Sequence, residues 1–300
     1  MPPSTRLSLS TLLVAGLAAS ASAAPNLDTA AIEQATGVKG TWNEKEGVFK
    51  LSVPRSDLKV DAGGVKMNPA LGLTSWAAFA RTGEHVMVMG DTVLLEGQVN
   101  PVMSVALDNG LEVTALHNHF FWENPRVMFL HIAGTGDEKR LAASVAKVWA
   151  KLKETSGGKG VVTRADIDPA KSALDPKKLD AILGYPGEYK GGVYKLTLGR
   201  ETSLEGHTMG NAMGVNTWAA FAGTEQKAVV DGDFAMLESE LQDVLKALRH
   251  ANIDIVAIHQ HMTGENPRIM FLHHWGFGRA EDLARGLKAA FAKTALARAN

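Results

Sequence analysis

Cysteine is absent from the 300-residue chain. That excludes disulfides, thiolate metal sites, cysteine nucleophiles, iron–sulfur clusters and lipidation of an N-terminal cysteine. An excess of charge of either sign is missing too: 31 basic against 32 acidic residues leave a formal net charge of −1. A nucleic-acid partner held by bulk positive charge is therefore not expected. Past the N-terminus no apolar run approaches the roughly 20 residues of a spanning helix, so no membrane span is expected. What is present, 45% hydrophobic and 21% charged residues, is a globular composition with room for about two domains.

Arg6 is the only charge ahead of a short apolar run at residues 12–19, which is followed by Ala21-Ser22-Ala23. A basic start, a short apolar core and a small-x-small end predict a secretory signal peptide over residues 1–23. The mature protein is expected in the periplasm or outside the cell.

The remainder is one unit written twice. Ser75-Trp76-Ala77-Ala78-Phe79-Ala80 returns as Thr217-Trp218-Ala219-Ala220-Phe221-Ala222, a shift of 218 − 76 = 142. His117-Asn118-His119 returns as His259-Gln260-His261, and Glu123-Asn124-Pro125-Arg126 as Glu265-Asn266-Pro267-Arg268, at the same shift. So does Met128-Phe129-Leu130-His131, as Met270-Phe271-Leu272-His273. The period is far longer than a solenoid unit, which makes this a tandem domain duplication. Repeat one covers residues 27–152 and repeat two residues 174–300. Residues 153–173 between them, with Gly157-Gly158 and Asp168-Pro169, read as a linker.

Leu241, Val244, Leu245 and Leu248 recur at helical spacing, as do Val99, Val102, Met103 and Ala106. Asn100 and Pro101 look like the cap and first turn of the second of these helices. Residues 111–115 and 253–255 alternate as strands, residues 127–132 and 269–275 read as the returning strands of hairpins, and residues 141–152 and 280–291 as closing helices. Earlier strands are expected at 48–53, 75–79 and 84–89. The order β-β-β-α-β-β-α predicts an α+β fold, a tandem duplication of a ferredoxin-like α/β sandwich with mainly antiparallel sheets, related by a pseudo-twofold axis.

Six of the ten histidines fall at repeated places: His117, His119 and His131, and His259, His261 and His273. Positions i and i+2 of a strand point to one face, so each His-x-His pair aims together. Glu123 and Glu265 sit in the following loop, in reach as oxygen ligands or general bases. Imidazoles with a carboxylate suit a divalent transition metal, Zn²⁺ first, with Cu²⁺ or Mn²⁺ as alternatives. The same histidines could equally be hydrogen-bonded packing residues of a half-buried strand. Cupin metal sites share the His-x-His, Glu, His order, but helices interrupt this pattern where a jelly roll needs strands. The His-Asn-His string would suit an endonuclease, yet repeat two carries Gln260 at its centre and the basic charge is lacking.

Glu-Asn-Pro-Arg reads as a turn. It also reads as a loop presenting Arg126 and Arg268, with Asn124 and Asn266, to a small anionic ligand. Trp76, Phe79, Trp218 and Phe221 are expected in the core. Gly90-Asp91 and Gly232-Asp233 also repeat, as do Glu96 and Glu238; the glycines suit tight turns and the acids suit helix starts, as second-tier site candidates.

The doubled Trp-Ala-Ala-Phe, His-x-His and Glu-Asn-Pro-Arg-φ-Met-Phe-Leu-His strings resemble the LppY/LpqO family of exported bacterial proteins of unknown function. The resemblance covers almost the whole mature chain and implies export and a duplicated domain. That family takes its name from mycobacterial lipoproteins, and this chain departs from them in having no cysteine to lipidate, so the location implied is soluble rather than anchored. Three functions stand side by side: a His/Glu metal or ligand site in each repeat, or one composite site between them, with metal-dependent hydrolysis as its simplest chemistry; a non-catalytic module binding a small anion through Arg126 and Arg268; and a structural envelope protein whose repeats only pack.

Overall fold

The computed structural model describes residues 27–156 and 165–295. Residues 1–23, the expected signal peptide, and residues 157–164 of the expected linker lie outside the described residues. Repeat one contributes β1 (Gly40–Asn43), β2 (Val48–Pro54), β3 (Thr74–Thr82), β4 (His85–Leu95), β5 (Glu112–His117) and β6 (Val127–Gly136). Repeat two contributes β7 (Glu188–Lys190), β8 (Val193–Gly199), β9 (Asn216–Gly223), β10 (Ala228–Leu237), β11 (Asp254–His259) and β12 (Ile269–Gly278).

All of these belong to a single 12-stranded sheet, in the order β1-β2-β3-β4-β6-β5-β11-β12-β10-β9-β8-β7. Every pairing in it is antiparallel. The second half of the order mirrors the first. The repeats therefore do not make two sheets that pack on one another: they join edge to edge, where β5 meets β11.

Six helices lie against one face: α1 (Thr29–Thr36), α2 (Glu96–Asp108), α3 (Glu138–Glu154), α4 (Pro176–Leu183), α5 (Leu241–His250) and α6 (Ala280–Phe291). They neighbour one another in the mirrored order α1-α3-α2-α5-α6-α4. Strand alternation explains why one face suffices. Phe49, Leu51, Ala77, Phe79, Val88, Leu130 and Ile132 point into a continuous core with the helices' apolar stripes, including Leu241, Val244, Leu245 and Leu248. The odd-phase residues between them face away from every helix. That second face is covered only near one end of each half, by small clusters around Val60, Leu73 and Phe129 and around Val215, Ile269 and Phe271.

Two local readings need correction. α2 begins at Glu96, so Pro101 stands inside it rather than in its first turn. The earlier start is fixed by Gln98, whose Oε1 accepts from the Leu95 N–H at 2.9 Å; Glu240 does the same for Leu237 at 2.8 Å. The helices α1 and α4 carried too short an apolar period to be read, and each is capped by an aspartate, Asp28 or Asp175.

Only one residue pair, Leu116 with Ile258, closes the β5–β11 seam as a ladder. Side-chain amides take over beyond it. Asn100 Nδ2 donates to the Ile255 carbonyl at 3.2 Å and its Oδ1 accepts from the Ile255 N–H at 2.8 Å. Gln242 makes the same two bonds to Val113, at 2.9 and 3.0 Å. Asn100 and Gln242 are repeat equivalents, as are Val113 and Ile255 and the Leu116–Ile258 pair itself. Such reciprocal contacts are those of an isologous twofold interface, here within one chain.

The core holds one residue out of keeping with its place. His274 is fully buried against Phe234, with neither ring nitrogen hydrogen-bonded. Burial pushes its pKa down to about 3. Gly232 stands opposite it across the strands, as Gly90 stands opposite Ile132 in repeat one. His274→Ile is thus already accommodated in the equivalent position and removes two unsatisfied polar atoms. It should stabilise the fold by about 1–3 kcal/mol at pH 7.5. The native imidazole stays neutral while the unfolded one, at about 6.5, takes a proton, so the wild type loses stability as pH falls below that value. At pH 5 the advantage should grow by roughly a further 2 kcal/mol. Urea unfolding at the two pH values checks this; a variant no more stable than the parent contradicts it.

Candidate metal centre

The helix-free face is where the repeated polar residues meet. Cross-strand partners share a face, and in repeat one the row Trp76–Asp91–His131–Ala115 runs straight across β3, β4, β6 and β5. In repeat two the row is Trp218–Asp233–His273–Ala257. A register shift between Val113 and Ala115, and between Ile255 and Ala257, leaves Val113 and Leu116 in the core while turning His117 to this row; His259 is turned in the same way.

In repeat two the side chains converge. Nε2 of His259 lies 3.1 Å from Nε2 of His261, and Nε2 of His261 lies 3.6 Å from Oδ2 of Asp233. One ligand atom from each of Asp233, His259 and His261 falls within 4.8 Å of the other two. Two imidazole nitrogens bound to one tetrahedral Zn²⁺ at 2.0–2.1 Å stand about 3.3 Å apart. His273 flanks the group, its Nδ1 3.9 Å from Asp233 Oδ2 and its ring stacked 4.5 Å from that of His259.

The surroundings orient these ligands. The ring of His261 lies flat on Phe271 at 3.5 Å. Asp233 is buried, with Oδ1 unpartnered. Burial raises its pKa to about 6; burial, and then the neighbouring imidazoles, lower that of His259 to about 4, and burial also lowers that of His261. At neutral pH the group is a carboxylate with uncharged imidazoles, the protonation state metal binding requires.

Repeat one has the same residue types in a looser arrangement. His117 stacks between His119 and His131, with ring centroids 5.2 and 5.1 Å away. Its Nδ1 lies 3.3 Å from the Asn118 carbonyl, and His119 rests on Phe129 at 3.6 Å. Asp91 reaches only His131, at 3.8 Å. Among the described residues, the one cluster with ligand atoms this close together is that of repeat two.

The glutamates and arginines take other places. Glu265 is buried and its Oε1 accepts from the Ile269 N–H at 3.0 Å, bracing its loop. Glu123 Oε1 is buried beside Arg126 Nε at 3.7 Å. The backbones of Asn124 and Asn266 pair with the covering strands at Asp61 and Ser203, and both Asn-Pro bonds are cis. Arg126 is exposed, with Glu96 3.8 Å away as its other ionic neighbour, whereas Arg268 is turned toward the Gln260 amide.

Glu96 and Glu238 do open helical turns, but Asp91 and Asp233, with Gly90 and Gly232, stand in mid-strand, because β4 and β10 run on to Leu95 and Leu237. The carboxylate beside the imidazoles is thus an aspartate from a neighbouring strand, and its shared 142-residue shift was the signal for it. Trp76 and Trp218 are half-buried on the open face instead of in the core, each under a lysine ammonium, Lys50 at 4.5 Å and Lys195 at 4.6 Å. Phe79 and Phe221 are fully buried, as expected.

Among the described residues no helix is long and apolar enough to cross a membrane. The sequence model of the family described as Domain of Unknown Function (DUF1259) matches the chain twice, over residues 30–151 and 177–293. The two matches coincide with the two repeats, and they replace the resemblance to the LppY/LpqO family drawn from the doubled strings. No curated protein matches the chain. Two solved structures are similar over 85% of this chain and 89% of theirs: a trimeric bacterial microcompartment shell protein, PduB, at 13% identity and a TM-score of 0.19, and EtuB from Clostridium kluyveri at 11% and 0.21. Scores this low carry no argument about this chain.

Proposed function

The chain belongs to the DUF1259 family, and from that premise we propose that it is a metal-binding protein whose centre lies in repeat two, at Asp233, His259 and His261. The observation that carries this reading is the 3.1 Å approach of two imidazole nitrogens beside a buried carboxylate with an unpartnered oxygen. Two neutral bases so placed share a proton or a cation, and a transition metal satisfies all three side chains at once. Two histidines and one carboxylate leave open positions on the metal, on the face no helix covers. Zn²⁺ is the first expectation, with Cu²⁺ or Mn²⁺ next. A water bound there would be acidified, the simplest route to hydrolysis. Glu123 and Glu265 are held in their loops, beside Arg126 and on the Ile269 N–H, so neither is assigned the base.

Each repeat reads as a ferredoxin-like sandwich whose fourth strand, β3 or β9, comes from before the split β-α-β unit instead of after it. Export after removal of residues 1–23 belongs to the same proposal. Mass spectrometry of protein from the source organism should find no species that keeps Met1.

The direct test is metal content of protein purified without a histidine tag. About one transition-metal ion per chain is expected, bound at micromolar concentration and neutral pH. A protein that takes up none under those conditions overturns the reading.

A further inference from the structure

The loops after β5 and β11 are alike except at their tips. Residues 118–126 read Asn-His-Phe-Phe-Trp-Glu-Asn-Pro-Arg, and residues 260–268 read Gln-His-Met-Thr-Gly-Glu-Asn-Pro-Arg. Phe121 and Trp122 thus stand where repeat two has Thr263 and Gly264. Gly264 has φ +90°, a left-handed conformation natural to glycine; Trp122 is held at φ +60° in its place. A bulky residue seldom adopts that conformation without compensation. No such compensation comes from packing, since Trp122 is 86% exposed and Phe121 73% exposed.

Beside this tip lies a pocket of about 440 Å³, on the seam between the repeats. Leu116, Met128 and the half-exposed Val256 supply apolar lining; Arg126 and His117 supply polar groups. His259 lines it as well, so the pocket reaches one of the three candidate metal ligands. Arg126 is 62% exposed and its two carboxylate neighbours stand at 3.7 and 3.8 Å, beyond hydrogen-bond range. Its N–H groups make no hydrogen bond among the described residues, so an entering planar anion can take them while the two glutamates stay at ion-pair distance.

We propose that this pocket binds an aromatic carboxylate, with the ring against Phe121 and Trp122, the carboxylate on Arg126, and the molecule's far edge toward the metal centre of repeat two. The inference rests on the metal-centre reading for the ligand's orientation alone; the pocket itself is built without a metal. The duplication would then have divided its labour. One copy kept the ligand geometry for a cation, while the other turned its loop tip into an aromatic clamp. The volume fits, since small-ligand pockets run from about 300 to 1,000 Å³.

The test is calorimetric titration of 2-naphthoate into the full chain, metal-free and zinc-loaded, beside neutral 2-naphthalenemethanol. Trp122→Gly copies the residue of repeat two and is compatible with the backbone; Arg126→Gln keeps the side chain's length. Naphthoate should bind both forms of the parent, at least tenfold more tightly than the alcohol, and each substitution should weaken it at least tenfold. Zinc uptake should be unchanged in both variants. If zinc binds but naphthoate does not, or binds both variants as well as the parent, the pocket assignment is wrong. If naphthoate binds as described while zinc is never taken up, the pocket stands and the metal reading falls. Loss of vesicle binding on Trp122→Gly, with no naphthoate binding by the parent, would make the tip a membrane wedge and overturn the proposal.

Discussion

Asp233→Asn should lower zinc affinity about a hundredfold or more, whereas Asp91→Asn should leave it within about threefold. The two aspartates are repeat equivalents on equivalent strands, so composition and local backbone are matched in the comparison. What differs is the partner geometry. Asp233 has an imidazole nitrogen 3.6 Å from one oxygen and a second imidazole beyond it; Asp91 has one at 3.8 Å, on a ring stacked away from convergence. Asparagine keeps the volume and removes the anionic donor. It also removes a carboxylate that burial holds up at about 6. The variant should therefore fold at least as well as the parent, and lost affinity would not be lost structure. The histidines extend the contrast: His259→Ala with His261→Ala should abolish uptake, and His117→Ala with His119→Ala should spare it. Isothermal titration of each variant with zinc reads the result. Equal losses from both repeats would mean one shared or two equal sites, contrary to the geometry.

Replacing both seam amides, Asn100→Ala with Gln242→Ala, should destabilise the chain by about 2–5 kcal/mol. Each amide satisfies one backbone N–H and one C=O on the facing strand, and only one residue pair of β-ladder joins the repeats otherwise. Removal leaves four strand-edge groups unpaired in a half-buried seam, at about 1 kcal/mol or more each. The single substitutions should sum to roughly the double, since the two amides share no partner. Urea unfolding measures the change. If the seam is what couples the repeats, the double variant should also show a broader transition, or two transitions. A loss under 1 kcal/mol would show that helix packing between α2 and α5 carries the junction.

Much of the duplication was legible because a constant shift over identical strings needs no structure to read. The helical stripe from Leu241 to Leu248 and the returning strands were legible for the same reason that they fold: one face of each is apolar at a regular period. The junction was not. Whether two half-covered sheets stack or join by their edges depends on which edge is left open, and the amides that close it, Asn100 and Gln242, look like ordinary surface polar residues. Pro101 misled because its preference for a first turn was overridden by Gln98 capping the helix five residues earlier. At the site, the histidines were visible from their repetition, although β5 and β11 end at His117 and His259 and leave His119 and His261 in the following loops; their carboxylate was sought along the chain, at Glu123 and Glu265. It came from across the sheet, at Asp233, and strand order decides that. Phe271, on which His261 rests, was hidden inside a string that reads as core. The difference between the repeats was not legible either, since the ligand residues are the same in both and the divergence lies in ring orientation.

Anomalous diffraction at the zinc edge, from crystals of the untagged chain grown with zinc, tests the central claim most directly. A peak is expected between Asp233, His259 and His261, with ligand atoms about 2.0–2.2 Å from it, and no equal peak among Asp91, His117 and His119. Peaks of equal height in both repeats, or zinc bound only elsewhere on the surface, would contradict it.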